Sequence, residues 1–67
     1  MSVYKVIELV GSSETSWEEA ARTAVMTATK TLRDLRIAEV SELDMKLEGE
    51  KILYRAKVKV SFKYLGE

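Results

Sequence analysis

The side chains able to do chemistry in this sequence are acidic, basic and hydroxylic; none is a histidine or a cysteine. The chain therefore lacks the commonest general base and the commonest zinc ligands. Ser and Thr are plentiful, but no His or paired buried carboxylate stands ready to activate one, and no Lys is marked as a buried base. An enzyme is not expected. What remains is binding chemistry, in three places. Glu39, Glu42, Asp44, Glu48 and Glu50 offer oxygen ligands to a hard cation such as calcium. They follow no EF-hand loop and are too strung out within one chain to form a cage. Around a symmetry axis a few would meet, which makes Glu39, Glu42 and Asp44 the candidate metal ligands; a plain charged surface is the favoured reading. Arg55, Lys57, Lys59 and Lys63 form a basic stripe that either binds an anion or pairs across strands with Glu39, Glu42 or Asp44. A paired or solvated stripe is favoured, with Arg55 set apart for the reason given below. Gly11-Ser12-Ser13 ahead of a helix suggests a phosphate cradle. The second Gly and the Lys of a P-loop are missing, so a plain strand-to-helix turn is expected.

Four elements must position these groups. Val3 to Val10 is β-branched and apolar on both parities, as in a strand covered on both faces. Gly11 to Thr15 reads as a loop. Ser16 caps a helix, with Glu19 completing a capping box and Glu18 and Glu19 near the positive end of the helix dipole. The helix is expected to run to about Arg33, with Lys30 and Arg33 at its negative end. Trp17, Ala20, Ala21, Ala24, Val25, Ala28, Leu32 and Leu35 follow the spacing of one buried face. Trp17 is expected to be a core or staple residue. A second strand begins near Arg36. Its apolar parity switches from Ala38 and Val40 to Leu43, Met45 and Leu47, which signals a bulge or bend. Glu48-Gly49-Glu50 is the hairpin turn, with Gly49 at positive φ. In the third strand Ile52, Tyr54, Ala56, Val58, Val60, Phe62 and Tyr64 alternate with Leu53, Arg55, Lys57, Lys59, Ser61, Lys63 and Leu65. The even set should face the helix and the odd set should form a basic outer face.

The fold class is α+β: β-α-β-β, with a three-stranded antiparallel sheet and one helix, in a single domain over residues 1–67. A chain of 67 residues buries only ~60% of its unfolded surface, and one core of this size rarely supplies more than ~3–5 kcal/mol. With no disulfide available, oligomerisation is the remaining staple. One helix is ~10 Å wide and cannot cover three long strands. Val3, Ile7, Leu9, Ile37 and Leu53 are expected to need a second subunit, as are the exposed strand edges. The net charge is zero, with 11 basic and 11 acidic residues, so no nucleic-acid partner is expected. No apolar run approaches the ~20 residues that span a bilayer, so no membrane is expected either. Met1-Ser2-Val3-Tyr4-Lys5 carries no signal-peptide pattern, and a cytoplasmic location follows as the expectation.

The sequence resembles the dodecins across nearly its whole length. The matching segments are Tyr4-Lys5-Val6-Ile7-Glu8-Leu9-Val10-Gly11-Ser12-Ser13, Trp17-Glu18-Glu19-Ala20-Ala21, Arg36-Ile37-Ala38-Glu39-Val40, and Tyr54-Arg55-Ala56-Lys57-Val58-Lys59-Val60-Ser61-Phe62. The resemblance implies a sheet wrapped partly around the helix, a hollow homododecamer of tetrahedral symmetry, and ligands held in pairs at subunit interfaces. It implies a role in flavin binding, for storage or protection from photochemical damage. Flavin-binding dodecins carry a Trp that stacks on the isoalloxazine ring where this chain has Ile37, and a Gln where it has Arg55. Stacking adds ~0.5–1.5 kcal/mol beyond area burial; Ile has no π face to stack. Arg donates only and cannot accept from the flavin ring N–H. The third strand, the Ser16-Trp17-Glu18 helix start, the Arg36-Ile37-Ala38 stretch and Asp44-Met45 look closer to a branch described as calcium-binding dodecin. The expected function is thus a dodecin-like small-ligand-binding or storage shell with an altered flavin site, with calcium as a candidate ligand. The alternative is a riboflavin- or FMN-storing dodecin in which Arg55 holds the ring edge or phosphate and Ile37 packs on the ring.

Overall fold

The structure is a computed structural model and describes residues 2–64. The chain folds as β1 (Tyr4–Ser13), α1 (Trp17–Ala28), β2 (Leu35–Glu48) and β3 (Lys51–Lys63). The sheet order is β1-β3-β2, and both pairings are antiparallel. The strand with the cleanest alternation in the sequence is thus the central one, where both faces and both edges of the backbone have demands to meet. Leu65, expected on the odd face of β3, lies outside the described residues.

The core is small and made of short side chains. Ala20 and Ala24 of α1 pack with Ala56, Val58 and Val60 of β3, all buried, and Ala28 is buried one turn further along the helix. Alanine on the helix face lets its backbone approach the sheet closely. The approach is closest at Gly11, which is buried beneath Ala20 and Ala24. This explains the first correction to the sequence reading. Gly11-Ser12-Ser13 is not a loop or a cradle but the last part of β1, with Gly11 opposite Ala56 and Ser13 opposite Tyr54.

The second correction concerns the helix end. α1 stops at Ala28, five residues before Arg33. Threonine recurs at 27, 29 and 31, and the Thr29 hydroxyl donates to the Met26 carbonyl at 2.7 Å. Such local bonding offers the backbone an alternative to the helix. The chain leaves through tight turns, with Lys30 N–H on the Thr27 carbonyl and Thr31 N–H on the Ala28 carbonyl. Asp34 then takes positive φ (60°), which Asp tolerates better than most residues. Leu32 and Leu35 do reach the core, but from the turn and from the start of β2.

The helix start is as read: the Ser16 hydroxyl accepts from Glu19 N–H at 3.0 Å. The reciprocal half of the capping box is absent, because the Glu19 carboxylate bonds Arg22 instead, at 2.6 Å. The parity switch in β2 is real. Register shifts fall between Leu35 and Ile37 and between Val40 and Glu42, leaving Arg36 and Ser41 as extra residues. Ser41 turns its hydroxyl onto the Lys57 carbonyl at 3.1 Å. The hairpin closes on Gly49-Glu50, with positive φ (62°) at Gly49 alone, the pattern of a II′ rather than a I′ turn.

The third correction is to the outer face. Ile7 and Leu9 pack against the core; it is Tyr4, Val6 and Val10 that point away from the helix, and they are exposed with Val3 and Ile37. Both parities of β1 are apolar, so periodicity alone does not say which face the helix takes. Gly11 decides it, since only the face without a Cβ at that point admits the helix. The helix lies over β1 and β3 and barely reaches β2. The β2–β3 hairpin therefore runs beyond it, with Leu43, Met45, Leu47 and Ile52 left exposed on the helix side.

Candidate functional site

The groups singled out in the sequence lie on the outer face of the sheet, and strand register places each. Asp44 stands opposite Arg55, Glu42 opposite Lys57, Glu39 opposite Lys59 and Ile37 opposite Ser61. On the other side of β3, Ser12 faces Arg55, Val10 faces Lys57 and Glu8 faces Lys59. The bulge at Ser41 is what brings Glu42 and Asp44 into this row, by shifting β2 by one residue relative to β3.

Two rungs of the ladder are closed ion pairs. Arg55 grips Asp44 with both arms, Nε to Oδ1 and Nη2 to Oδ2, each at 2.7 Å. Lys57 Nζ lies 3.0 Å from Glu42 Oε1. Arg55, set apart in the sequence reading, is thus a paired member of the stripe. The hydrogen bond from Arg55 is the main cause holding the Asp44 carboxyl below the usual aspartate range; the charges of Arg55 and Lys57 add to it, against partial desolvation. Lys57 is raised, chiefly by its hydrogen bond to Glu42 and then by that carboxylate's charge. A carboxyl depressed by folding contributes stability above its ordinary pKa of about 3.9 and loses it as pH falls through the folded value. A raised lysine contributes below about 10.4 and loses its share as pH rises through its folded value. The melting temperature is therefore expected to be flat between these limits with respect to both groups and to fall in acid. Asp44→Asn should flatten part of the acid limb in melts recorded against pH; an unchanged limb would show the pair contributes nothing to folding.

The sequence does not place Trp17 at this site, but the structure does. Its indole Nε1 donates to the Asp44 carbonyl at 2.9 Å, and its ring meets Tyr54 edge-on, centroids 5.1 Å apart at 75°. The first turn of α1 is thereby tied to the hairpin at the residue whose side chain holds Arg55. The available sequence signal is the pairing of a helix-start Trp with a Tyr on the helix-facing parity of β3; nothing in the periodicity puts Asp44 under the indole.

Distances along the strands separate the remaining candidates. Ile37 and Arg55 sit six β3 residues apart, roughly 20 Å at strand rise. One copy of the chain does not bring them into one pocket. Glu39 lies about 13 Å along the strand from Asp44 by the same measure. Among the described residues no group of three carboxylates is placed to hold a metal. The donor set within one protomer therefore does not fit calcium, since two of its three carboxylates are held by cations. It does not fit stacked flavin either, because Ile37 offers no ring and Arg55, which has no acceptor, has its Nε and Nη2 on Asp44.

A single helix on a three-stranded antiparallel sheet, with a charge-laddered outer face and an apolar overhang, defines the class: a small α+β protomer with uncovered apolar surface. A model of the Dodecin family matches residues 3–65, and the chain belongs to the dodecin family. It is 53% identical over 64 residues to the calcium dodecin of Mycobacterium tuberculosis, covering 94% of this chain and 90% of that one. A solved structure of the calcium-chelating calcium dodecin from that organism, described with a novel calcium-binding site, superposes with a TM-score of 0.89 at 49% identity. The match covers 98% of this chain and 96% of that one. Dodecin from Streptomyces coelicolor superposes with a TM-score of 0.88 at 30% identity, again over 98% and 96%. Among the described residues no helix is long and apolar enough to cross a membrane.

Proposed function

We propose that residues 1–67 form one dodecin domain that assembles into a hollow homododecamer and binds or stores a small ligand at its subunit interfaces. Calcium is the ligand this reading favours over stacked flavin, in a non-enzymatic and cytoplasmic role. What separates the two ligands is the clamp of Asp44 on Arg55, which counts against flavin. It fills with a closed ion pair the position where a flavin-binding relative would offer a free amide, while Ile37 removes the stacking ring. The likeness to calcium dodecin supports the same choice. Assembly is supported by shape. The Cα radius of gyration is 13.7 Å, against ~11 Å for a compact chain of this length. The accessible surface is 5266 Å², about 1,000 Å² more than size scaling gives for a folded monomer. Leu47 is 73% exposed and Ile37 65%. One copy does not bring Glu39, Glu42 and Asp44 together, so carboxylates or carbonyls of neighbouring copies would make up the six to eight oxygens calcium takes.

Calorimetry on chelator-treated protein tests the reading. Calcium should give saturable heat, and at a hundred times its Kd should stabilise the fold by about 2.7 kcal/mol per site, seen as a rise of several degrees in melting temperature. Riboflavin and FMN fluorescence should stay unquenched at micromolar protein. No heat and no thermal shift would reject calcium; a monomer in solution at micromolar concentration would reject the assembly.

A further inference from the structure

The helix leaves β2 bare on its own side of the sheet. Ala38, Val40, Leu43, Met45 and Leu47 stand opposite even residues of β3, so their side chains line one uncharged strip, and all five are exposed. The two ends of this strip differ in shape. At the hairpin end Leu47 and Ile52 stand free beyond α1, and Leu47 is the most exposed large apolar side chain among the described residues. At the other end Val25, Thr29, Leu35, Ala38 and Val60 line a half-open cleft of about 170 Å³. One end is a knob and the other a hole. Their charges differ as well. In the hairpin turn Glu48 is bridged to Lys46 and Lys51 to Glu14, which leaves Glu50 without a salt bridge among the described residues. Beside the cleft, Lys30, Arg33 and Arg36 outnumber Asp34, and no salt bridge among the described residues involves any of them.

We propose that the hairpin end of one copy seats in the cleft of the next. Leu47 enters the cleft, and the acidic Glu48-Gly49-Glu50 turn reaches the basic turn at 30–36. The inference deepens the assembly proposed above and rests on it. One such contact covers both ends of the apolar strip and matches both turns in charge. Overhang against overhang would leave both clefts open and the basic turns unmatched. Burial of the strip supplies the affinity, while the rim charges fix orientation. The protomer's surface excess of about 1,000 Å² is of the size that one partner contributes to a standard interface, ~800 Å². Knob and hole are different patches, so the contact is head-to-tail and must close as a ring or grow as a filament. A tetrahedral dodecamer has only two-fold and three-fold axes. A head-to-tail contact cannot lie on a two-fold, so it lies on a three-fold and closes after three copies.

Cross-linking tests this. The chain has no cysteine, so introduced thiols are unique. The hairpin turn and the turn at 30–36 lie at opposite ends of a molecule 50 Å long, too far for a short bis-maleimide to join them within one copy. The reagent is applied to the assembled Arg33→Cys, Glu50→Cys double variant, whose two positions are exposed. A denaturing gel should show a ladder that ends at trimer, and each single variant should stay monomeric. Leu47→Asp should lose the assembly, read as mass in solution. A dimer from Glu50→Cys alone, a double variant that assembles but does not progress to trimer, or a Leu47→Asp protein that assembles like the wild type overturns the head-to-tail contact and leaves the assembly standing. A monomeric wild type overturns both.

Discussion

Replacing Gly11 by alanine is expected to abolish the folded protomer, and with it the assembly. A Cβ at Gly11 would lie 2.1 Å from the Ala20 carbonyl oxygen and 3.0 Å from the Ala24 Cβ. Neither neighbour is the end of a flexible side chain. The helix would have to lift from the sheet, and its alanine face has no long side chains to refill the gap. Overpacking costs ~1–3 kcal/mol where side chains can yield, and more where they cannot. The backbone is the obstacle here, so the cost should reach or exceed ~3 kcal/mol, against the ~3–5 kcal/mol that a core of this size supplies. Gly49→Ala is the contrast. Nothing lies within 4 Å of its Cβ position, but φ is +62°, so only local backbone strain of ~1–3 kcal/mol applies. Thermal melts by circular dichroism, with mass in solution, separate the two. Gly11→Ala melting within a few degrees of the wild type would mean that α1 does not rest on β1 at this point.

The double variant Ile37→Trp, Arg55→Gln should gain flavin binding, read as quenching of riboflavin or FMN fluorescence. The introduced indole would supply the π face, worth ~0.5–1.5 kcal/mol beyond area burial. The introduced amide would release the Asp44 clamp and present both a donor and an acceptor to the ring edge, worth a further ~1–3 kcal/mol over a mismatched polar contact. Together these correspond to an affinity gain of roughly ten- to a thousandfold. The two positions lie about 20 Å apart along one sheet, so the gain also tests whether two copies of the chain complete one pocket. Each single variant should gain less than the pair. If the pair gains nothing while remaining assembled, Ile37 and Arg55 are not the flavin-site equivalents.

Much of this architecture is legible in the sequence because periodicity reports burial directly. The alternation from Ile52 to Tyr64 marks β3, and its even residues Ala56, Val58 and Val60 are the buried ones. The spacing of Ala20, Ala24 and Ala28 marks the helix face. The parity switch after Val40 marks a bulge that the register confirms. Less is legible where two local preferences compete. The apolar stripe continues past the threonines at 27, 29 and 31, yet the Thr29 hydroxyl bond and the β-branching at these positions disfavour more helix, and α1 ends at Ala28. In β1 both parities are apolar, and the sequence reading turns Ile7 and Leu9 outward, the reverse of the structure.

The sequence by itself determined the element order, the identity of the central-strand core, the cap at Ser16 and the turn at Gly49. Each of these is set by residues close in sequence or by a repeat of two or 3.6 residues, and composition removed the imidazole and thiolate chemistry outright. Only the tertiary structure decided which face of β1 meets the helix, that Gly11 lies in a strand under Ala20, that Trp17 bonds the Asp44 carbonyl, and that Asp44 holds Arg55. These depend on which residue stands across from which. Strand register is a long-range choice, and a shift of one residue, such as the bulge at Ser41, exchanges every partner beyond it.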